Sequence, residues 1–179
     1  MIRPVLPGMR ERRSGAIVNV SSVFGRLSFA GHGHYAAAKW ALEAISEALA
    51  QEVHRFGIRV AIVEPGAVMT PIFRKARRFA EPDSPYVDHV KRLLLVYSKI
   101  MPHASRPEDV AQSIHDAVRS ATPRLRHPVG DDARRLIEGR VRMSDETYVA
   151  TGRAMSDDEF LGELRARYGF DWPSGGDDR

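Results

Sequence analysis

Two apolar runs are separated by a long helical pattern. Residues 15–21 are an apolar run of strand type that contains Asn19 and ends at Ser21, and residues 59–64 are apolar between Arg59 and Glu64. Such runs are typical of strands that are covered on both faces of a parallel sheet. Residues 34–56 repeat apolar positions every three or four residues, which predicts a long helix, and Gly57 is its predicted end. The repeating positions are Trp40, Ile45, Leu49, Val53 and Phe56. This order predicts a right-handed strand–helix–strand unit.

The chain beyond this unit continues the alternation. Ser105 is the predicted cap of a helix with Pro107 in its first turn, and residues 124–129 form the last predicted strand. The sequence therefore predicts an α/β fold: a partial doubly wound, Rossmann-like parallel sheet of about three strands with flanking helices.

The carboxyl-terminal part is charged and helical in pattern. Residues 131–172 form a predicted helical extension, with Ser144 and Ser156 at the starts of two helices. The polar residues 173–179 are predicted to be disordered.

Three side chains can assemble a proton-transfer site. Tyr35 and Lys39 are four residues apart and therefore share one face of the predicted helix, while Ser22 ends the preceding strand. An ammonium beside a phenol favours the phenolate, which makes Tyr usable as a general acid or base nearer neutral pH. A Tyr-x-x-x-Lys spacing alone is a weak signal. Its position between two strand ends, where parallel sheets bind ligands, strengthens it.

With these residues the chain resembles the short-chain dehydrogenase/reductase family. The resemblance runs from about residue 3 to about residue 130, so residues 1–130 are assigned as the carboxyl-terminal half of such a domain. The matching stretches are Gly15-Ala-Ile-Val-Asn-Val-Ser-Ser22, Tyr35-Ala-Ala-Ala-Lys39, Gly57-Ile-Arg-Val-Ala-Ile-Val-Glu-Pro-Gly66 and Val68-Met-Thr70.

The resemblance implies a role for each catalytic candidate. Tyr35 would donate the proton in reduction and accept it in oxidation. Lys39 would lower the pKa of the phenol and bind the nicotinamide ribose, and Ser22 would hold the substrate oxygen. The implied reaction is the NAD- or NADP-dependent interconversion of an alcohol and a ketone or aldehyde.

The resemblance also implies contacts with the cofactor after the second strand. Pro65 and Gly66 would let the backbone pass close to the nicotinamide, and the backbone of Val68 would meet its carboxamide. Thr70 would contact the carboxamide or pyrophosphate, although it could equally cap a helix before Pro71.

The substrate is less well defined by the sequence. Residues 71–102 hold two short helical patterns broken by Pro82 and Pro85, and in the family this segment covers the substrate. Its run of apolar residues at 93–97 favours a hydrophobic substrate, while core packing explains the same residues equally well.

The family's Gly-rich turn, which follows its first strand and holds the pyrophosphate, has no counterpart in residues 1–179. Residues 31–36 match G-x-G-x-x-A but follow a loop rather than a strand. We therefore expect a truncated chain that is weakly active or inactive. The alternative is a non-catalytic module that associates through the helix at 34–56 or an exposed sheet edge. The full-length family is expected to form homo-oligomers.

Composition and charge bear on the compartment of the protein and on the kinds of binding site that it could contain. The chain lacks Cys, which fits a reducing cytoplasm, and it contains no apolar run long enough to cross a membrane. The net charge is +4, but the Arg residues are scattered, so no nucleic-acid surface is predicted. The densest basic cluster, residues 74–78, is interpreted as a solvated helix face, with an anionic ligand as the alternative. The His spacing predicts no metal site.

Overall fold

Three parallel strands form the sheet of the computed structural model, which describes residues 2–72 and 83–170. They are β1 (Gly15–Val20), β2 (Ile58–Pro65) and β3 (Arg126–Val129), in the order β1-β2-β3. Every residue of the central strand except Arg59 is buried. The fold is thus the predicted α/β, Rossmann-like one. The apolar run at 60–63 is explained by neighbouring strands on both edges of β2 and helices packed against it.

The register of the strands brings their carboxyl ends to one edge of the sheet. Val20 pairs with Val63, and Pro65 pairs with Val129. The pairing of β1 and β2 extends past the strand, because the backbone N–H of Ser21 donates to Val63 O at 2.8 Å. Chain segments that leave these strands therefore start close together.

Seven α-helices lie before, between and after the strands within the described residues. They are α1 (Leu6–Glu11), α2 (Gly33–His54), α3 (Val87–Ile100), α4 (Pro107–Arg119), α5 (Asp131–Val141), α6 (Asp145–Val149) and α7 (Asp157–Tyr168). Short 3₁₀ helices occupy Val23–Gly25, Met101–His103 and Ala150–Gly152.

The predicted helix caps are confirmed at two of three positions. Ser144 and Ser156 accept hydrogen bonds from the N–H groups of Thr147 and Glu159, both at 3.2 Å. The prediction for Ser105 was wrong, because its backbone is engaged elsewhere.

Ser105 forms a parallel bridge with Val68, in which Ser105 N–H donates to Ala67 O and Ser105 O accepts from Met69. The cap of α4 is Arg106, whose N–H donates to the Asp109 carboxylate at 2.8 Å.

Two apolar clusters hold the elements together. One lies where α2 packs against the sheet, and its buried members are Ile17, Leu49, Val53, Ile58 and Val60. The larger one lies beyond the carboxyl ends of the strands and includes Phe24 and Leu27 together with Leu136, Leu161, Leu164 and Tyr168. The carboxyl-terminal helices thus share a core with the loop that follows β1.

Two of the helical repeat positions on α2 are not in the core. Trp40 is 52% exposed and Ile45 is 59% exposed, whereas Leu49 and Val53 are buried. The basic cluster at 74–78, Pro82 and the predicted disordered tail at 173–179 lie outside the described residues.

The turn after α2 supplies a test of the packing. Gly57 has φ +69°, and a Cβ there would stand 2.5 Å from Arg13 O. We expect Gly57→Ala to lower the free energy of unfolding by about 1–3 kcal/mol, through backbone strain and this clash. Gly162 in α7 is the matched control. Among the described residues, no heavy atom other than those of its chain neighbours and its own helix backbone lies within 4 Å of a Cβ placed there. Gly162→Ala should therefore raise the free energy of unfolding by about 0.5–1 kcal/mol. Urea unfolding of both variants checks this, and equal effects would contradict it.

Candidate active site

Ser22 lies just beyond β1, in extended backbone, and begins the 3₁₀ turn Val23–Gly25. Its Oγ accepts from the N–H of Phe24 at 3.2 Å and donates to Pro65 O at 3.4 Å. The side chain is buried, and these two bonds fix it beside the end of β2. The hydroxyl therefore has a defined position at the carboxyl edge of the sheet.

Tyr35 and Lys39 lie in the first turns of α2, as the spacing predicts. The Lys39 ammonium donates to Val20 O at 3.1 Å and stands 5.7 Å from the centre of the Tyr35 ring. The hydrogen bond ties the start of α2 to the last residue of β1. Burial lowers the pKa of Lys39, and the nearby carboxylate of Glu43 opposes that effect.

The last residue of β2 and the segment after it also line the cavity, where Pro65, Gly66, Val68 and Thr70 are the predicted site residues. The bridge to Ser105 uses the carbonyl of Ala67 and the N–H of Met69, so the backbone N–H and C=O of Val68 are outside it. Every sequence-predicted site residue thus lines a single cavity of about 460 Å³. These residues are Ser22, Tyr35, Lys39, Pro65, Gly66, Val68 and Thr70.

Asp132 at the start of α5 is a cavity residue that sequence reasoning missed. Its carboxylate accepts from the N–H of Ala67 at 2.6 Å, and burial raises its pKa. A Cβ on Gly66 would overlap this carboxylate. The structure therefore gives Gly66 a packing requirement of its own, since only a residue without a side chain admits Asp132 there.

A His–Tyr pair forms another part of the cavity wall. His32 Nε2 and the Tyr97 hydroxyl are 2.8 Å apart, and the ring centres of His32 and Tyr35 are 6.1 Å apart. Burial lowers the pKa of His32, while burial and the nearby Tyr35 raise the pKa of Tyr97 to about 12. Both groups are therefore neutral near pH 7. No local pattern in the sequence indicates this pair, because its members are 65 residues apart.

Buried charges lie next to the site. Glu64 is the next-to-last residue of β2 and is wholly buried. Its carboxylate pairs with Arg26 at 3.2 Å and with Arg126 at 3.4 Å. Arg126 also pairs with Glu43 of α2 at 3.1 Å, so the cluster links α2, β2 and β3. Burial and the adjacent Glu43 raise the pKa of Glu64, and the two arginines only partly offset them.

Three further features of the described residues concern metal ligands, membrane-spanning helices and the glycine motif at 31–36. No group of three or more potential metal ligands occurs in residues 2–72 and 83–170. None of the helices described there is long and apolar enough to cross a membrane. The G-x-G-x-x-A match at 31–36 spans the start of α2, well beyond the end of β1, so it does not directly follow a strand.

Known proteins share both the sequence pattern and the fold. A family model described as short chain dehydrogenase matches residues 1–81. The first 81 residues of the chain are therefore similar to short-chain dehydrogenases. The chain is 37% identical over 133 residues to 3-ketodihydrosphingosine reductase of Bacteroides thetaiotaomicron, covering 73% of this chain and 49% of that one.

Solved short-chain dehydrogenases have the same arrangement of elements. One from Streptomyces avermitilis has a TM-score of 0.65 at 37% identity, over 85% of this chain and 57% of that one. A 3-oxoacyl-[acyl-carrier protein] reductase from Brucella melitensis, solved with bound NAD, has a TM-score of 0.50 at 30% identity. That match covers 72% of this chain and 44% of the reductase. The chain spans 64% of one curated relative and 43% of another.

The buried Glu64 predicts a pH dependence of stability. Its folded-state pKa lies above the ordinary 4.5, so the folded protein holds a proton that the unfolded chain has released. The free energy of unfolding should therefore fall as pH rises from 4.5 through the folded pKa.

Urea unfolding across this range checks the dependence. Glu64→Gln should flatten the fall, while Glu52→Gln, at an exposed position on α2, should leave it unchanged. An identical slope in all three proteins would contradict the assignment to Glu64.

Proposed function

We propose that this chain carries the proton-transfer half of a nicotinamide-dependent oxidoreductase that interconverts an alcohol and a ketone or aldehyde. The observation that carries the proposal is that Ser22, Tyr35 and Lys39 line one cavity together with Pro65, Gly66, Val68 and Thr70. The similarity of residues 1–81 to short-chain dehydrogenases supports the reaction class. One relative is named a reductase of 3-ketodihydrosphingosine.

Tyr35 is the proposed general acid in reduction and general base in oxidation. Its ring is 45% exposed, so the phenol can be reached from the cavity. The edge-on ring of Phe24, with centres 6.0 Å apart, supports it from one side. The phenol O–H donates its proton to the substrate oxygen as that oxygen becomes an alkoxide, and it accepts the proton back in the reverse direction.

Lys39 and Ser22 are the proposed positioning groups. The Lys39 ammonium has one N–H committed to Val20 O and stands 5.7 Å from the centre of the Tyr35 ring, so its positive charge lies beside the phenol. Ser22 lies just beyond β1, and its hydroxyl donates to Pro65 O at the long distance of 3.4 Å. We propose that this proton turns from Pro65 O to the substrate oxygen beside Tyr35, while the N–H of Phe24 still donates to Ser22 Oγ.

A nicotinamide dinucleotide fits this cavity at its reactive end. When bound, it supplies or accepts the hydride. The Brucella reductase was solved with NAD, which supports this cofactor class, and NADP is the equal alternative. Lys39 would bind the ribose, the backbone of Val68 would meet the carboxamide, and Thr70 would meet the carboxamide or pyrophosphate. Pro65 and Gly66 form the adjoining wall.

Deuterium transfer tests the proposal even at slow turnover. Protein at high concentration is incubated with 4-deuterated NADH or NADPH and a panel of ketones, and the alcohol products are analysed by mass spectrometry. We expect deuterium in a product, reduced at least about 100-fold by Tyr35→Phe, because the general acid is lost. Tyr86→Phe is the matched control, since Tyr86 is 68% exposed and does not line the cavity. Equal transfer by the Tyr35 and Tyr86 variants, or none at all, would overturn the proposal.

Cofactor affinity is expected to be weak for the 179-residue polypeptide. Its sequence holds no Gly-rich turn between a strand and a helix to bind a pyrophosphate. Calorimetric titration with NADH and NADPH should give dissociation constants well above the low micromolar range. Low-micromolar binding of either one would show that other residues bind the phosphates.

Self-association is the second candidate, and exposed apolar side chains favour it. Trp40 and Ile45 project from α2, and Val20 is 43% exposed on β1, an edge strand within the described residues. The proposed partner is a second copy of the chain, meeting through α2. Sedimentation equilibrium should give a dimer whose dissociation constant rises at least about tenfold in Trp40→Glu. The same change at His115, an exposed position on α4, should have little effect. A monomeric wild-type protein would exclude this candidate.

A further inference from the structure

A second cavity of about 50 Å³ adjoins the candidate active site. Phe29, Leu93 and Val96 line both cavities. Because the two spaces share these three apolar side chains, one layer of side chains separates them. Of the three, Leu93 and Phe29 are only partly buried, whereas Val96 is fully buried.

The carboxyl-terminal helices build the far wall of this second cavity. Phe160 and Leu164 of α7 line it, together with Gly152 of the preceding 3₁₀ turn, while Ala30 contributes from the loop before α2. The cavity therefore exists only because the region after residue 131 packs against α3. Its lining is largely apolar, and apolar cavities stay free of water and accept hydrocarbon.

The charged residue of this wall is already committed to the protein. Arg92 of α3 is buried, and its guanidinium donates to Arg153 O at 2.9 Å and to Met155 O at 2.6 Å. It also stands 5.4 Å from the centre of the Phe160 ring. These contacts fasten α3 to the carboxyl-terminal segment, so Arg92 closes the cavity wall with its donors turned to backbone carbonyls.

We propose that the second cavity receives the far end of an unbranched alkyl tail carried by the substrate, with Leu93 as the side chain that separates tail from head. The proposal rests on the proposed function for the polar end of the ligand, which binds at Ser22 and Tyr35. It names the substrate class as a long-chain aliphatic alcohol or ketone. A volume of about 50 Å³ admits the end of a chain and excludes a ring system.

Alcohol binding without any dinucleotide tests the proposal independently of catalysis. A fluorescent polyene alcohol is displaced by 2-hexanol and by 2-dodecanol. Each buried methylene contributes about fourfold in affinity, so 2-dodecanol should bind the wild-type protein at least about 30-fold more tightly. Leu93→Trp, which enlarges the side chain between the two cavities, should cut this ratio at least about tenfold. Leu94→Trp, at the neighbouring exposed position that lines neither cavity, should leave it within about twofold.

A second variant guards against misfolding of Leu93→Trp. Ala30 is exposed and lines only the second cavity, so Ala30→Leu fills that cavity without touching the first. It should also lower the ratio while leaving 2-hexanol binding unchanged. An unchanged ratio in both Leu93→Trp and Ala30→Leu, or no binding of 2-dodecanol, overturns the alkyl-tail proposal. Deuterium transfer that depends on Tyr35 would still stand in that case, so the two proposals fail separately.

Discussion

The in-register pairing of β1 with β2 is the constraint on which the candidate site depends. It sets Ser22 beside Pro65, and it presents Val20 O to the Lys39 ammonium. A slip of one residue would turn each side chain of β1 to the opposite face and break both contacts. The site is therefore a consequence of sheet geometry at the carboxyl edge, to which α2 adds the phenol and the ammonium.

The fold, and the meeting of the predicted residues at one cavity, could be predicted from the sequence because their signals are local. The apolar runs predict β1 and β2, and the four-residue spacing of Tyr35 and Lys39 places them together on α2. Ser105 shows the limit of such reasoning: a good capping residue was drawn instead into a bridge with Val68. Tertiary pairing overrode a local preference there.

Features created by distant contacts had no readable signal. Asp132 reaches Ala67 from 65 positions along the chain and occupies the space that makes Gly66 necessary. The His32–Tyr97 pair and the second cavity likewise arise from packing among α3, the loop before α2 and the carboxyl-terminal helices. The division at residue 130 that the sequence suggested marks a change in pattern, yet the helices beyond it share the core around Phe24 and Leu27. The assignment of the residues beyond 130 to a separate extension stays a prediction.

The central claim is that Ser22 and Tyr35 both form hydrogen bonds with the same substrate oxygen. A crystal structure with a ketone and NADH or NADPH, at concentrations that overcome weak binding, tests this most directly. The account predicts the ketone oxygen within about 2.6–3.2 Å of both the Ser22 Oγ and the Tyr35 phenol oxygen. A ketone bound in the cavity with its oxygen directed instead to Asp132 or to the His32–Tyr97 pair would contradict it.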